Sequence, residues 1–286
     1  MGEIRRRMEA DLRLHGFHPG TQAEYLRCAR KLAEHFMRSP EELAKEDVRG
    51  YLLHLLLVKK LSCSTMKVHI AALKFLYGVS LGRPEVVESI RMPRSRRKLP
   101  DVLSGSEVEA VIGAIESMKY RAVVMVMYAA GLRVSEACGL RVSDIDSDRM
   151  VIRVKDGKGG RDRYVMLSKR LLAILRQYYR AERPKGPYLF PGKKLDSPIT
   201  SDSVRRVLKA AARASGVTKR VTPHVLRHTF ATHLLESGTD IRTIQVVLGH
   251  QSIKTTQLYA QVSRRHVART KSPLDLLGTK EGEALG

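Results

Sequence analysis

TPHVLRHTFATHLL, at residues 222–235, predicts a helix that carries a histidine and an arginine on one face. Pro223 stands where proline favours the first position of a helix, and His224 follows it. Arg227 is three residues further on, so its side chain lies one turn along the same face. Since the N-terminal end of a helix favours an anion, this stretch predicts a site for a negatively charged group.

Two other stretches supply three more chemically active residues. GLRVSEACGLR, residues 131–141, contains Arg133, and VLGHQSIKTTQLYA, residues 247–260, contains His250 and Tyr259. Arginines and histidines can hold the non-bridging oxygens of a phosphodiester and move protons, while a tyrosine phenol is a nucleophile. Together the three stretches predict a site for attack on a phosphodiester without a metal ion.

Arg133 follows Ala129-Ala130-Gly131-Leu132, where small residues let the backbone approach a ligand closely. Its planar guanidinium can bind two phosphate oxygens and stays charged at any working pH. Glu136, three residues on, is placed to steady that guanidinium. Taken alone, such an arginine is more often part of a surface salt bridge, so the assignment depends on the whole set.

A β-hairpin is predicted in the part of the chain between GLRVSEACGLR and TPHVLRHTFATHLL. Arg149–Val154 and Arg163–Leu167 alternate in the manner of strands around the glycine-rich Asp156-Gly-Lys-Gly-Gly160. Lys158, at the tip, either reaches into a groove, where its ammonium can serve as an acid, or is an exposed turn lysine.

No metal or other cofactor is predicted. His224 and His228 are four residues apart, but the zinc-protease pattern requires glutamate after the first histidine, and Val225 stands there. The sequence also shows no cluster of Asp and Glu of the kind that holds magnesium. His228 and His233 are therefore expected to be structural.

The chain of 286 residues has a formal net charge of +23, from 52 Lys and Arg against 29 Asp and Glu. A balance this basic indicates a polyanionic partner, because neutralised phosphates release condensed counterions. Nucleic acid is the first candidate, and an anionic membrane surface is the other. No apolar run is long enough to span a bilayer, no signal peptide is evident, and the three cysteines are widely spaced and expected to be reduced. A cytoplasmic, nucleoid-associated protein is expected.

Residues 1–90 predict helices only, with start signals at Thr21, Ser39 and Ser64. Arg91–Pro100 breaks this pattern with two prolines and five basic residues, so residues 91–104 are predicted to be a linker. It is either a solvated loop or, as the charge on either side favours, a strap along a phosphate backbone. The side chains that would contact DNA are Arg94, Arg96, Arg97 and Lys98.

Residues 105–277 are predicted to form a second, mainly helical domain that contains the hairpin. Ser104 and Glu107 match a capping box at its start, and Val123–Tyr128 is an apolar helix. Further helices are predicted at residues 168–182, 201–215, 223–237, 240–248 and 252–261. Residues 278–286 are expected to be a frayed, flexible tail. The predicted fold class is mainly α with a small β-hairpin or sheet.

These stretches resemble a known family, the tyrosine site-specific recombinases or phage integrases. Residues 105–262 are similar to the catalytic domain, on AAGLRVSEACGL, VKDGKGGRDRYVML and the run from TPHVLRH to QLYAQVS. Residues 1–90 are similar to the helical, SAM-like core-binding domain that precedes it. The resemblance covers nearly the whole chain and implies a metal-independent enzyme that cleaves and rejoins DNA.

The resemblance also implies a role for each candidate residue. Tyr259 would attack the scissile phosphate and form a 3′-phosphotyrosyl bond, while Arg133 and Arg227 would hold the non-bridging oxygens. Glu136 would be an accessory support.

Proton transfer would fall to the remaining three. Lys158 would protonate the leaving 5′-oxygen, His224 would assist proton transfer at the tyrosine, and His250 would complete the hydrogen bonding of the phosphate.

The resemblance implies double-stranded DNA, at two recombination sites, as the partner. A homotetramer would bind both sites, and the reaction would proceed through a Holliday junction. Arg264–Leu277, with its apolar LDLL, either docks on a neighbouring subunit or folds back on its own domain. The compact, Xer-like type fits best, and the ending SPLDLL inclines the interpretation toward a mobile-element integrase. Two other functions stay open: a type IB topoisomerase, and a DNA-binding factor without turnover.

Overall fold

The computed structural model describes residues 2–93, 101–157, 161–194, 196–249 and 256. The chain divides into two compact units, Met1–Arg97 and Lys98–Gly286, and each has its own hydrophobic core. Helices dominate both, and the C-terminal unit adds one small antiparallel sheet. The predicted fold class is therefore confirmed. None of the helices in the described residues has the length and apolarity that crossing a bilayer requires.

The core of the N-terminal unit is formed by helices that bury apolar residues spaced at helical intervals. In its first helix the residues Ile4, Met8 and Leu12 are buried at intervals of four. The last helix continues as a π-helical turn at Leu76–Ser80, and 3-10 turns lie at Pro40–Glu42, directly after Ser39, and at Pro84–Val86. The α-helices of this unit are α1 (Gly2–Leu14), α2 (Pro19–Phe36), α3 (Lys45–Leu57) and α4 (Cys63–Phe75).

Two predicted helix starts in this unit are wrong. His18, not Thr21, precedes α2, so Thr21 lies inside the first turn. Ser62, not Ser64, caps α4, because its hydroxyl accepts from the Thr65 backbone N–H at 3.2 Å. Both stretches offer several polar residues within one turn, and packing of the helix selects among them.

The C-terminal unit is built around one apolar helix. Its α-helices are α5 (Gly105–Gly113), α6 (Met118–Ala129), α7 (Val134–Cys138), α8 (Lys169–Glu182), α9 (Ser201–Ala214), α10 (Pro223–Glu236) and α11 (Ile241–Leu248). Helix α6 packs against α5, α7, α8, α9 and α10. Its buried positions lie on several sides, as expected for a helix at the centre of a domain.

Polar caps fix two of these helices as the sequence predicts. At α5, Glu107 N–H donates to the Ser104 hydroxyl at 3.2 Å, and Ser104 N–H donates to the Glu107 carboxylate at 2.7 Å. At α10, Val225 N–H donates to the Thr222 hydroxyl at 3.2 Å, and Pro223 takes the first helical position. The start of α10, which carries His224, is thereby fixed.

The predicted hairpin is confirmed and gains a third strand. The strands are β1 (Ile145–Asp146), β2 (Val151–Gly157) and β3 (Arg161–Met166), antiparallel in that order. Ile152 pairs with Val165, and both are buried. At two residues, β1 is too short to show an alternation in the sequence.

Cys28 and Cys138, one in each unit, are buried, and burial raises the pKa of each thiol to about 11. They pack as small apolar residues, and Cys63 is partly buried.

Candidate active site

Arg133 and Glu136 form one turn at the start of α7. Gly131 precedes them at φ +63°, and a Cβ there would come within 2.3 Å of the Phe230 ring. Glycine therefore allows the chain to pass close to α10 and places Arg133 just ahead of α7. The Glu136 carboxylate accepts from Arg133 N–H at 2.8 Å and from Arg133 Nη1 at 2.7 Å. The contact that the spacing predicts is present.

Arg227 lies one turn into α10 and is buried, with 4% of its side chain exposed. Its Nη1 donates to the Gly131 carbonyl at 2.5 Å, and its Nη2 donates to the Leu248 carbonyl. Nη1 also lies 3.8 Å from the Glu136 carboxylate. These contacts fix the guanidinium where the turn before α7, helix α10 and the end of α11 meet.

Arg163, on β3, is a third arginine of this cluster, and sequence reasoning missed it. Its side chain is 9% exposed. Nη1 and Nη2 donate to the two oxygens of Glu136 at 3.0 and 2.8 Å, and Nε donates to the Val247 carbonyl at 2.9 Å. One signal was available: Arg163 alternates with the buried Val165 and Leu167, so a strand places all three on the core side.

The Glu136 carboxylate thus binds two guanidiniums and lies near a third. Burial acts to raise its pKa, but hydrogen bonds from Arg163 and from the Arg133 backbone, together with their charge, hold the pKa at about 2. The carboxylate is therefore ionised at neutral pH. Three guanidiniums against one carboxylate leave a net positive charge, which suits a site for an anion.

His224 lies in the first turn of α10, one turn from Arg227, and its ring stacks on that of His228 with centroids 5.9 Å apart. Partial removal from water lowers the pKa of His224, and the charges of Arg227, Arg133 and Arg205 lower it further. The imidazole is therefore neutral at neutral pH and can accept a proton.

His233 has the structural role that the sequence predicts. Its Nδ1 hydrogen-bonds with the Tyr128 hydroxyl at 2.8 Å, and its Nε2 with the Leu103 carbonyl at 3.0 Å. Burial raises the pKa of Tyr128, which keeps this phenol neutral. The tyrosine and the histidine join α6 and α10 away from the arginine cluster.

A cleft of about 780 Å³ opens beside Arg133, His224 and Arg227. Helix α9 forms one wall, and its basic residues in the cleft are spaced four apart, so they share one face. We call this surface the basic cleft. Its other basic residues are Arg205, Lys209, Arg213, Lys219 and Arg220.

Three predicted catalytic residues, Lys158, His250 and Tyr259, lie outside the described residues. So do the four basic residues predicted for the linker, Arg94, Arg96, Arg97 and Lys98. Of the seven catalytic candidates, the structure brings together Arg133, Glu136, His224 and Arg227. Within the described ranges, no group of three or more His, Cys, Asp or Glu is placed to hold a metal ion.

Family models match both units. The model described as the phage integrase family matches residues 101–266, and the model described as the N-terminal SAM-like domain of phage integrases matches residues 4–85. An integrase/recombinase of Sinorhizobium fredii is 46% identical over 278 residues, which are 97% of this chain and 90% of that protein. The tyrosine recombinase XerA of Pyrococcus furiosus is 37% identical over 239 residues, covering 82% of this chain and 79% of the relative.

Solved structures share the fold. The crystal structure of XerA recombinase is 29% identical, with a TM-score of 0.55 over 95% of this chain and 99% of that chain. A lambda integrase dimer bound to a core site is 20% identical, with a TM-score of 0.74 over 95% and 98%. The chain belongs to the phage integrase family of tyrosine recombinases, a family of site-specific DNA recombinases.

Proposed function

We propose that this protein cleaves and rejoins DNA at specific sites through a covalent 3′-phosphotyrosyl intermediate. One observation carries the proposal: Arg133 and Arg227 both line the basic cleft, and both guanidiniums lie within 3.8 Å of the Glu136 carboxylate. Each guanidinium can donate to a non-bridging oxygen of a phosphate in that cleft. Such fixed donors stabilise the charge that grows on those oxygens as the phosphorus is attacked.

In the proposed reaction the Tyr259 oxygen attacks the phosphorus and the bond from phosphorus to the 5′-oxygen breaks. The phenol proton passes to His224, whose lowered pKa leaves it neutral and able to accept. Lys158 protonates the departing 5′-oxygen, and His250 donates to the phosphate. The phosphotyrosyl ester retains the bond energy, so religation requires neither ATP nor a metal ion.

We propose that the three predicted segments of the chain have separate roles. Residues 1–90 would bind the core of the site, residues 91–104 would follow the phosphate backbone through their arginines, and residues 105–277 would hold the chemistry. The partner would be double-stranded DNA at two sites, synapsed by a homotetramer in the cytoplasm at the nucleoid. A mobile-element integrase of the Xer-like type is the form we favour.

Covalent capture tests the proposal. The protein is incubated with fragmented DNA of its source organism, denatured in detergent, and the DNA joined to it is sequenced. A nicked suicide substrate is then built from the captured site. We expect the parent to form a covalent adduct in EDTA and Tyr259→Phe to form none, while Tyr179→Phe, at an exposed tyrosine of α8, reacts like the parent. No adduct from the parent, or an undiminished one from Tyr259→Phe, contradicts the mechanism.

The arginines have their own test on the same substrate. Arg133→Ala and Arg227→Ala should each slow adduct formation by at least ~10²-fold, the scale of losing a preorganised contact to a developing oxyanion. Arg180→Ala, on the exposed surface of α8, is the matched control. DNA binding should weaken steeply between low and moderate salt, because it releases counterions. If the variants react at the rate of the parent, the two arginines do not act in the site.

Type IB topoisomerase activity is the alternative, since it uses the same residue types. A supercoiled plasmid without the captured site separates the two functions. Recombinants from paired sites without efficient relaxation of that plasmid support the recombinase. Efficient relaxation without recombinants supports the topoisomerase, and binding without any adduct supports a factor that has lost turnover.

A further inference from the structure

Arg163 takes no part in the proposed reaction, yet its guanidinium is closely held by the residues around it. It is 9% exposed, and its Nε, Nη1 and Nη2 all donate within the protein, to Val247 and Glu136. It is absent from the lining of the basic cleft. It therefore acts on a phosphate only through other residues.

The first such residue is Glu136, which Arg163 shares with Arg133. One Glu136 oxygen accepts from Arg133 Nη1 at 2.7 Å and Arg163 Nη1 at 3.0 Å, while the other accepts from Arg133 N–H and Arg163 Nη2, both at 2.8 Å. A carboxylate this buried requires compensation. Without Arg163, Glu136 would keep Arg133 Nη1 at 2.7 Å as its nearest cation, with Arg227 Nη1 at 3.8 Å. The less fully compensated carboxylate would then hold the Arg133 guanidinium more strongly and draw it back from the cleft.

The second contact is with the end of α11. Arg163 Nε binds the Val247 carbonyl, and Arg227 binds the next carbonyl, that of Leu248. Two guanidiniums thus satisfy consecutive carbonyls at the negative end of the helix. Gly249 follows at φ +61°, and a Cβ there would lie 3.1 Å from Arg163 Cδ, so the glycine also leaves room for the arginine.

We propose that Arg163 is a positioning residue for DNA cleavage, which neutralises Glu136 and so leaves the Arg133 guanidinium available to the scissile phosphate. By the same contacts it ties β3, just after the hairpin tip, to the end of α11, just before His250. The inference rests on the proposed function. A residue that merely fills space at this position would not depend on the charge of Glu136.

Single-turnover cleavage of the suicide substrate at saturating DNA tests this dependence. Arg163→Met keeps the length of the side chain and removes its charge. We expect the rate to fall by about 10- to 100-fold, the scale for residues that orient a reacting group from behind. The equilibrium affinity for DNA should stay at the parent value, because Arg163 does not line the cleft. Arg153→Met is the matched control, since Arg153 lies on the same hairpin and pairs with Asp162 in an exposed ion pair.

The double variant Arg163→Met/Glu136→Gln separates positioning from packing. Removing the carboxylate charge should release Arg133, so the double variant should cleave faster than Arg163→Met alone. Equal rates in Arg163→Met and the parent, or a double variant no faster than the single one, would overturn the inference. If Arg163→Met does not fold, Arg163→Gln is measured instead. It removes the charge but keeps a polar side chain that can donate a hydrogen bond, so a slower rate is expected and a parental rate overturns the inference. Failure of the parent itself to form an adduct would overturn the proposed function first.

Discussion

The two units of this chain use charge in opposite ways. Each ion pair in the described part of the N-terminal unit joins side chains that are at least 34% exposed. In the C-terminal unit the side chains of Glu136, Arg163 and Arg227 are 6%, 9% and 4% exposed. Exposed pairs contribute about 0–1 kcal/mol, whereas a buried charge that loses its partner is strongly destabilising.

This difference shows that the C-terminal unit contains charged groups whose removal from water costs free energy. The N-terminal unit buries apolar stripes and keeps its ion pairs at the surface, which is sufficient for a stable helical domain. The C-terminal unit removes three charged groups from water and binds them to one another and to backbone carbonyls. Replacing such a network with apolar residues is often neutral or stabilising, so stability alone gives no reason for it. A reason for the network is that it holds cations in fixed positions beside a cleft.

Removing one carboxylate from each unit gives the largest expected contrast. Glu136→Ala leaves buried guanidiniums without their counter-charge, so we expect the free energy of unfolding to fall by about 3–5 kcal/mol. Glu34→Ala removes the partner of Arg30 from an exposed pair, and a change below about 0.5 kcal/mol is expected. Urea unfolding followed by circular dichroism measures both. Similar losses of unfolding free energy in the two variants would contradict the difference between the two units.

Lowering the pH should remove the contribution of Glu136 to the free energy of unfolding. Its pKa is lowered from 4.5 to about 2, so the unfolded chain binds the proton more tightly than the folded protein. The resulting stabilisation, roughly 3 kcal/mol, is fully present above about pH 4.5 and is lost as the pH falls toward 2. Glu136→Gln lacks this dependence. The difference in unfolding free energy between parent and Glu136→Gln should therefore shrink from pH 6 to pH 3, and a constant difference would contradict the assigned ionisation.

Two glycines, one in each unit, extend the contrast to the backbone. Gly131→Ala would place a Cβ against the Phe230 ring at a positive φ, and a loss of roughly 2 kcal/mol or more is expected. Gly50 lies within α3 with nothing near its added Cβ, so Gly50→Ala should stabilise the protein by about 0.5–1 kcal/mol. Thermal and urea unfolding report the sign of each change. A neutral Gly131→Ala would mean that the turn before α7 is not tightly packed.

The smallest expected effect is a shift in the titration of His224. Arg205 contributes to the lowering of its pKa, so Arg205→Gln should raise that pKa toward its ordinary value. Arg206→Gln, at the neighbouring position of α9, serves as the control and should leave the titration unchanged. NMR titration of the His224 Cε1 proton in the DNA-free protein measures both. An unshifted midpoint in Arg205→Gln would show that the charge of Arg205 does not act on this histidine.

Local sequence signals predicted most of the secondary structure. The capping box at Ser104, the proline ahead of His224 and the alternation around the hairpin each involve residues close in the chain, and the structure confirms all three. The starts at Thr21 and Ser64 were wrong because several polar residues within one turn can serve as the cap. Nothing within that turn selects among them.

Part of the candidate site could be predicted in the same way. Arg133 and Glu136 are three residues apart, so their contact follows from the geometry of a single turn. Arg163 binds Glu136 across 27 residues and Val247 across 84, and no local pattern pairs them. The position of Arg163 in an alternating strand indicated that it faces inward, but not what it meets there.

The amino-acid sequence alone was sufficient to predict the family, most of the helices, the hairpin, and the residue types available for the chemistry. These depend on short motifs and on periodicity, which neighbouring residues set among themselves. The folded structure was needed to show that three arginines converge on one buried carboxylate and that two of them bind the end of α11. The reason is physical: burial makes a charge depend on partners from distant parts of the chain, and only the folded chain brings those partners together.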